Sequence, residues 1–233
     1  MTEIDKSAIR NAATVIVVRD RETNPAILMG QRGAKAVFMP NKFVFPGGAV
    51  DRADFDVPLA EGLVEPCHSR LDLDSEPGLQ NALAAAAVRE VWEETGLILG
   101  EQGPWPCDVP DDWRDFATMG YRPSGAGLQY FFRALTPKGR PRRFDARFFM
   151  VDAARLSGDL DDFSRASDEL SHLQWIPLSD ARDFDLPFIT EVVLAEVEAC
   201  LHTTEPPESV PYFKNNDEAS LFLRLRGYPM PTD

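Results

Sequence analysis

The segment from residue 89 to 97 constrains this chain most, because it joins the end of a helix to a concentration of acids. A helix turns about 100° per residue, so residues at the i, i+3, i+4 and i+7 spacing form one stripe. The stripe predicted to be buried consists of Val88, Val91, Trp92 and Thr95. Three acids share the opposite side, namely Glu90, Glu93 and Glu94. Gly96 suits the left-handed residue after a helix end, which places the acids in the final turns.

This placement of acids opposes the local preferences of a helix. Like charges at i, i+3 or i, i+4 cost roughly 0.2–0.5 kcal/mol per pair, and anions are also disfavoured near a helix C-terminus. A bound divalent cation would compensate for the repulsion, since Mg2+ and Mn2+ prefer carboxylate oxygens. The acids therefore indicate a candidate metal site. The other interpretation is an amphipathic helix with a solvent-facing acidic side and no metal.

Two motifs resemble the signature of the Nudix hydrolases, a family that cleaves diphosphates linked to a second group. They are Phe45-Pro46-Gly47-Gly48 and Arg89-Glu90-Val91-x-Glu93-Glu94-x-Gly96-Leu97. The resemblance implies Mg2+ or Mn2+ bound by Glu90, Glu93 and Glu94, with Glu90, Arg89 and Glu93 as catalytic residues. In this assignment Glu90 is a ligand or the base acting on water, and Arg89 is the orienting partner. By its place near the end of such a core, Glu169 is a further ligand or base.

The signature departs from the family pattern at one position. In the family, a further glutamate follows the first glycine after five residues and precedes the arginine by eight positions. Counted back from Arg89, that position is Asn81, and the gap from Gly48 is far longer than usual. An insertion therefore splits the motif. Either an acid of the insertion, such as Glu76, replaces the glutamate, or the site works without it.

A wider set of matches narrows the resemblance to one subgroup. The set comprises Arg32, Phe38-Met39-Pro40, Phe45-Pro46-Gly47-Gly48, Asp51, Thr136-Pro137 and residues 143–149. It is similar to the subgroup that includes the mammalian peroxisomal coenzyme A diphosphatase, which implies coenzyme A or acyl-coenzyme A as substrate. Substrate phosphates are expected at Gly47, Gly48, Arg32 and Arg143, the last within a hairpin that carries five basic residues. ADP-ribose or a nucleotide sugar is an alternative substrate, and a non-catalytic nucleotide-binding regulator is an alternative function.

Hydrophobic periodicity and turn residues predict the order of the elements. Strands are predicted at 13–19, 26–31, 42–45, 97–99, 128–137 and 143–151, and helices at 80–95 and 187–201. With the resemblance, these imply an α+β fold, an α/β/α sandwich in which helices flank a mixed central sheet. We expect a single domain over 1–233, with insertions at about 52–77 and 101–127. A C-terminal extension at about 203–233 is expected to pack back on the domain or to contact a second subunit of a homodimer.

The composition of the chain limits the classes of partner that it can bind. With 24 basic and 38 acidic residues the formal net charge is −14, which argues against nucleic acid or an anionic membrane as partners and leaves a small nucleotide. Cys67, Cys107 and Cys200 form no CxxC pair, so reduced thiols are expected. The first residues lack the features of a signal peptide, and no apolar run approaches the ~20 residues of a membrane span. The expected location is cytoplasmic.

Overall fold

The computed structural model describes residues 8–73, 75–203, 205–215 and 220–225. Its strands are β1 (Ile9–Arg19), β2 (Ala26–Arg32), β3 (Phe43–Val44), β4 (Gly47–Ala49), β5 (Gly100–Gln102), β6 (Tyr121–Pro123), β7 (Gln129–Leu135), β8 (Arg143–Asp152), β9 (Leu170–Pro177), β10 (Val210–Asn215) and β11 (Ser220–Leu225). Its α-helices are α1 (Cys67–Asp72), α2 (Leu79–Thr95), α3 (Arg114–Thr118) and α4 (Phe188–Cys200). Short 3-10 helices lie at Arg52–Asp56, Asp111–Trp113, Ala153–Arg155 and Leu178–Asp183.

A mixed sheet of nine strands is the centre of the described fold. Its main path runs β11-β10-β7-β8-β1-β2-β3, with β4 paired to β1 and β9 paired to β2. The β1–β8 and β7–β10 pairs are parallel, and the other pairs are antiparallel. The β-branched run in β1 suits a strand buried on both faces, because alternate side chains enter opposite layers. Val15 and Val17 enter one hydrophobic cluster, and Ile16 and Val18 enter the other.

One helix covers each face of the sheet. Helix α2 packs against β1, and its alanines at 82 and 84–87 are fully buried, which allows close packing. Helix α4 packs against β7 on the other face, where Val193, Leu194 and Val197 join the second cluster. The predicted α/β/α sandwich with a mixed sheet is confirmed.

The predicted insertions contact each other and the C-terminal extension. The amide of Ala60 donates to the carbonyl of Pro123 at 2.8 Å, and the amide of Gly125 donates to the carbonyl of Glu61 at 2.7 Å. The guanidinium of Arg70 in α1 donates to the carbonyl oxygens of Pro207 and Glu208. The insertions therefore form one connected layer beside α2. In the second one, the ring of Phe116 meets that of Trp92 in α2 at 5.7 Å between centroids.

Three sequence-based expectations have different outcomes. The predicted strand at 97–99 is wrong, since only Ile98 forms an isolated bridge, to Ser157, and the next strand begins at Gly100. The extension packs back, because β10 pairs with β7 and β11 pairs with β10, while residues 226–233 lie outside the described residues. The homodimer stays a prediction. No helix in the described part of the chain is long and apolar enough to cross a membrane.

The end of α2 generates a stability prediction at Gly96, which has φ 75° and donates its amide to the carbonyl of Trp92. A Cβ at this residue would lie 2.9 Å from Cβ of Arg165. A left-handed residue with a side chain costs roughly 1–2 kcal/mol. Gly96→Ala should therefore lower the free energy of unfolding by about that amount in urea titrations. Gly33→Ala is the control, since its Cβ would meet nothing within 4 Å; equal effects would contradict the prediction.

Candidate active site

The three acids of α2 lie in a more buried setting than the helical stripe predicts. Glu90 is 8% exposed and Glu94 is 1% exposed, whereas Glu93 is partly exposed. The alternative interpretation, a solvent-facing acidic side, is wrong for Glu90 and Glu94, because β4 and the Arg52–Asp56 turn cover that side. A plain solvated helix face is therefore excluded for these two carboxylates.

The glycine pair of β4 contacts two of these carboxylates directly. The amide of Gly47 donates to Oε2 of Glu94 at 2.8 Å. A Cβ built on Gly48 would overlap the carboxylate of Glu90, so this approach requires glycine. Antiparallel pairing with Thr14 and Ala13 holds the two glycines in place. The upstream motif and the helix motif thus form one site.

Arg89 connects the acids to each other. Its Nη1 donates to Oε1 of Glu90 at 2.8 Å and to Oε2 of Glu93 at 3.3 Å. Its Nη2 donates to the carbonyl of Ala49 at 3.0 Å. The side chain is 7% exposed, so these charge-assisted bonds form in a poorly solvated setting. The predicted orienting contact between Arg89 and the acids is present.

Burial has the largest effect on the pKa of each of the three acids. It raises the pKa of Glu90 to about 7, with opposition from Arg89 and reinforcement from Glu93. It raises the pKa of Glu94 well above its usual range, and the neighbouring Glu90 adds to the shift while the Gly47 amide opposes it. It also raises the pKa of Glu93, against the effect of Arg89. Each of these groups would lose its proton more readily beside a divalent cation.

Glu169 and Arg32 lie at the mouth of the same site. Arg32 Nη2 donates to Oε1 of Glu169 at 2.7 Å. Glu169 is close enough to raise the pKa of both Glu90 and Glu94, and Arg32 is close enough to lower that of Glu94. The structure therefore brings Glu169 and Arg32 to the predicted metal site from the β9 and β2 side.

The donor set fits a hard divalent cation. Oε1 of Glu94 is buried and has no hydrogen-bond partner among the residues that the structure describes. Within that part of the chain, however, no three His, Cys, Asp or Glu side chains form a group that could hold a metal ion. In this structure Arg89 binds Glu90 and Glu93, and Arg32 binds Glu169. Because Mg2+ completes its coordination with waters and needs few carboxylates, the unpartnered Glu94 oxygen fits such an ion.

Asp54 is a site residue that the sequence reasoning missed. It is 1% exposed, and its two oxygens accept Arg89 Nε and Nη2 at 3.0 Å each. Counting forward from Gly48 would have found it, because five residues separate the two and Asp54 lies near the start of the insertion. Glu76 and Asn81 are instead exposed near the start of α2, and Leu79 there lies about 16 Å along the helix from Glu90. The acid of the insertion that reaches the site is Asp54, not Glu76.

The structure does not bring Arg143 to the acids. Arg143 pairs with Ile9 and Gly48 pairs with Ala13, which separates them by about 13 Å along β1. Arg143 Nε donates to the carbonyl of Thr136 in its own hairpin. Arg147 is buried and donates to Asn11 and to the carbonyl of Asp145. Of the hairpin's basic residues, Lys138, Arg140 and Arg142 are exposed.

Comparison with known proteins identifies the family. The family model of the NUDIX domain matches residues 9–197, which is most of the chain. The chain therefore belongs to the Nudix family, as the two motifs predicted.

Relatives and solved structures agree with this assignment. A Caenorhabditis elegans protein whose name places it among the nudix hydrolases is 28% identical in an alignment 189 residues long, which covers 76% of this chain and 54% of that protein. The acyl-coenzyme A diphosphatase NUDT19 of Gallus gallus is 28% identical in an alignment 178 residues long, which covers 53% of this chain and 47% of that protein. The chain thus spans about half the length of these curated relatives. A crystal structure of a NUDIX hydrolase from Alicyclobacillus acidocaldarius is 26% identical with a TM-score of 0.61, covering 83% of this chain and 93% of that one.

The raised pKa of Glu90 predicts how stability depends on pH. The pKa of Glu90 is about 7 in the folded protein, whereas in the unfolded protein it has its usual value of 4.5. The folded state therefore binds more protons between these values, and the free energy of unfolding should fall as pH rises through this window. Urea titrations in EDTA across it should show this fall, and Glu90→Gln should make it shallower. Glu76→Gln, at an exposed acid, is the control, and an unchanged slope in Glu90→Gln would contradict the prediction.

Proposed function

We propose that this chain is a metal-dependent diphosphatase that hydrolyses the diphosphate of coenzyme A or acyl-coenzyme A. The observation that carries the chemistry is the buried, unpartnered oxygen of Glu94 beside Glu90, at the end of the motif helix. Residues 1–233 would act as one Nudix domain with two insertions and a C-terminal extension. Mg2+ or Mn2+ is the proposed ion, because the donors are carboxylate oxygens.

The acids of α2 have distinct proposed roles. Glu93, Glu94 and Glu90 would hold the cation, with Glu169 as a further ligand. A bound divalent cation neutralises phosphate charge and lowers the pKa of water. As an alternative to binding the cation, Glu90 would accept the proton of the attacking water, because its carboxylate lies beside Glu94 and is oriented by Arg89. Arg89 would keep Glu90 and Glu93 oriented through Nη1.

The groups around the acids would bind the phosphates. Gly47 and Gly48 present backbone without side chains next to Glu90 and Glu94, which allows a phosphate to approach. Arg32 would exchange its bond to Glu169 for a bond to a substrate phosphate, and Glu169 would then be free to turn toward the cation. Arg143 would meet a more distant phosphate of a long substrate.

Two observations favour coenzyme A compounds over other nucleotides. One is the set of subgroup matches from Arg32 to Phe149. The other is the similarity to an acyl-coenzyme A diphosphatase, which covers about half of this chain. Cleavage would give adenosine 3′,5′-bisphosphate and a phosphopantetheine or acyl-phosphopantetheine product.

Turnover of a substrate panel tests this function. The panel contains coenzyme A, an acyl-coenzyme A, ADP-ribose and a nucleotide sugar, each with Mg2+ or Mn2+. We expect selective cleavage of the coenzyme A compounds, reduced by at least about 100-fold in Glu93→Gln, because a metal-binding carboxylate is lost. Thermal unfolding of this variant should change little, since the substitution also removes repulsion within α2. Glu76→Gln, at an exposed acid three residues before the same helix begins, is the control.

Other outcomes of the panel have definite meanings. Cleavage of only ADP-ribose or the nucleotide sugar would keep the diphosphatase and reject coenzyme A. Absence of all turnover, with stabilisation by nucleotide and metal, would instead favour a nucleotide-binding regulator.

The Arg32–Glu169 pair predicts that substitutions of its two members change different kinetic constants. Arg32→Ala should raise KM by about tenfold or more, because a charge-assisted bond contributes roughly 1.5–3 kcal/mol. Glu169→Gln should lower kcat without raising KM, since Glu169 competes with the substrate for Arg32. Steady-state kinetics on the substrate found above would measure both. Arg182→Ala, which breaks the exposed pair with Glu198, is the control. A raised KM in Glu169→Gln would contradict the exchange.

A further inference from the structure

The loop at residues 156–169 leads into β9 and ends at Glu169. Its first part is fixed beside the segment that follows α2, because the amide of Ser157 donates to the carbonyl of Ile98 at 2.8 Å. Phe163, in its middle, packs against the hydrophobic cluster that contains the buried side of α2. The loop is therefore a packed part of the fold, and its last residue lies at the mouth of the site.

One hydrogen bond joins the last turn of α2 to the final residues of this loop. The amide of Ser167 donates to the carbonyl of Glu93 at 2.7 Å. The last four carbonyl groups of a helix have no partner within it, so this bond satisfies one of them. The loop also approaches the helix end closely, since a Cβ built on Gly96 would lie 2.9 Å from Cβ of Arg165. Two contacts within three residues of the loop thus hold it against the helix that carries the acids.

Ser167 precedes Glu169 by two residues, so this bond limits where the Glu169 carboxylate can lie. Two residues of chain span at most about 7 Å. In the structure, Oε1 of Glu169 accepts Arg32 Nη2 at 2.7 Å, and the carboxylate is close enough to raise the pKa of Glu90 and Glu94. Helix α2 therefore holds its own acids directly and Glu169 through a backbone carbonyl.

We propose that Ser167 is a positioning residue, whose backbone amide keeps Glu169 at the cation site through its bond to the Glu93 carbonyl. This inference rests on the metal-dependent activity proposed above. When a substrate phosphate takes the place of Glu169 on Arg32, the released carboxylate would stay within reach of the cation, because its backbone is tied to the helix that holds the cation. Without the bond, this stretch of chain would have more conformations to lose when Glu169 binds the cation.

The loop contains a matched control for the loss of one amide donor. The amide of Ser164 donates to Oδ1 of Asp162 at 2.9 Å, within the loop itself rather than to α2. Ser164 and Ser167 are both exposed, and proline lacks the N–H group. Ser164→Pro and Ser167→Pro thus each delete one amide donor, three residues apart, and only the second of these donors bonds to the helix.

Steady-state kinetics test the position of Glu169. Ser167→Pro should lower kcat by about tenfold or more without raising KM, as Glu169→Gln does, because loss of a group that orients a metal ligand typically costs roughly 10–100-fold. Ser164→Pro should change kcat by less than about twofold. In the Glu169→Gln background, Ser167→Pro should change kcat by less than about twofold, since the positioned carboxylate is already absent. Thermal unfolding should show that both proline variants fold.

Mn2+ binding gives a readout that does not depend on turnover. In Arg32→Ala the bond that holds Glu169 is removed, so its carboxylate is free to bind the cation. In this background, isothermal titration calorimetry on the full chain should show a Kd for Mn2+ that is about tenfold or more higher in Ser167→Pro. Ser164→Pro in the same background should change the Kd by less than about twofold.

A lengthened chain between the bond and the carboxylate serves if Ser167→Pro does not fold. One glycine inserted between Asp168 and Glu169 keeps the Ser167 amide but lets Glu169 move by up to about 3.5 Å. This insertion should lower kcat by about tenfold or more, as the proline is expected to do. One glycine inserted after Gly158, which is exposed and lies before the bond, is the control and should leave kcat within about twofold.

The outcomes distinguish this role from the proposed function. Equal effects of the two proline variants, full additivity with Glu169→Gln, a raised KM in Ser167→Pro, or equal effects of the two insertions would overturn the role of Ser167. The expected shifts in Kd without turnover of any panel substrate would keep the role and reject the diphosphatase. Absence of Mn2+ binding by the unsubstituted chain would reject the metal site and the role together.

Discussion

The interaction on which the site depends is the burial of one guanidinium among carboxylates. Arg89 binds Asp54 through two nitrogens and shares a third between Glu90 and Glu93. Burial alone would lower the pKa of this arginine, but its acid partners raise it above the usual value. An unpaired buried charge costs several kcal/mol. Removal of either Arg89 or its acid partners would therefore leave a buried charge unpaired and destabilise the protein.

The network explains why two distant motifs act together. The glycines of β4 approach α2 so closely that the Gly47 amide binds Glu94 and Gly48 leaves room for Glu90. The same stretch continues into the turn that carries Asp54. Burial of the acids raises their pKa values, and a divalent cation would reverse that effect. A bound cation would thereby offset the repulsion among these carboxylates.

The insertions have a structural role next to the site. They are hydrogen-bonded to each other through Ala60 and Gly125, and Arg70 ties the first one to the C-terminal extension. Phe116 of the second insertion packs on Trp92, the residue next to Glu93. The second predicted insertion therefore packs on the end of the helix that carries the acids.

The sequence by itself determined the local features: the helix that ends before Gly96, the acids in its last turns, the glycine pair, and the strand at 13–19. These follow from propensities and from short spacings, which act over a few residues. Only the tertiary structure decided that Glu90 and Glu94 are buried, that Arg32 binds Glu169, and that Asp54 rather than Glu76 reaches Arg89. These contacts join residues 35 to 137 positions apart. Their formation depends on how strands and insertions pack, because helical periodicity places a residue on one side of a helix but does not specify what covers that side.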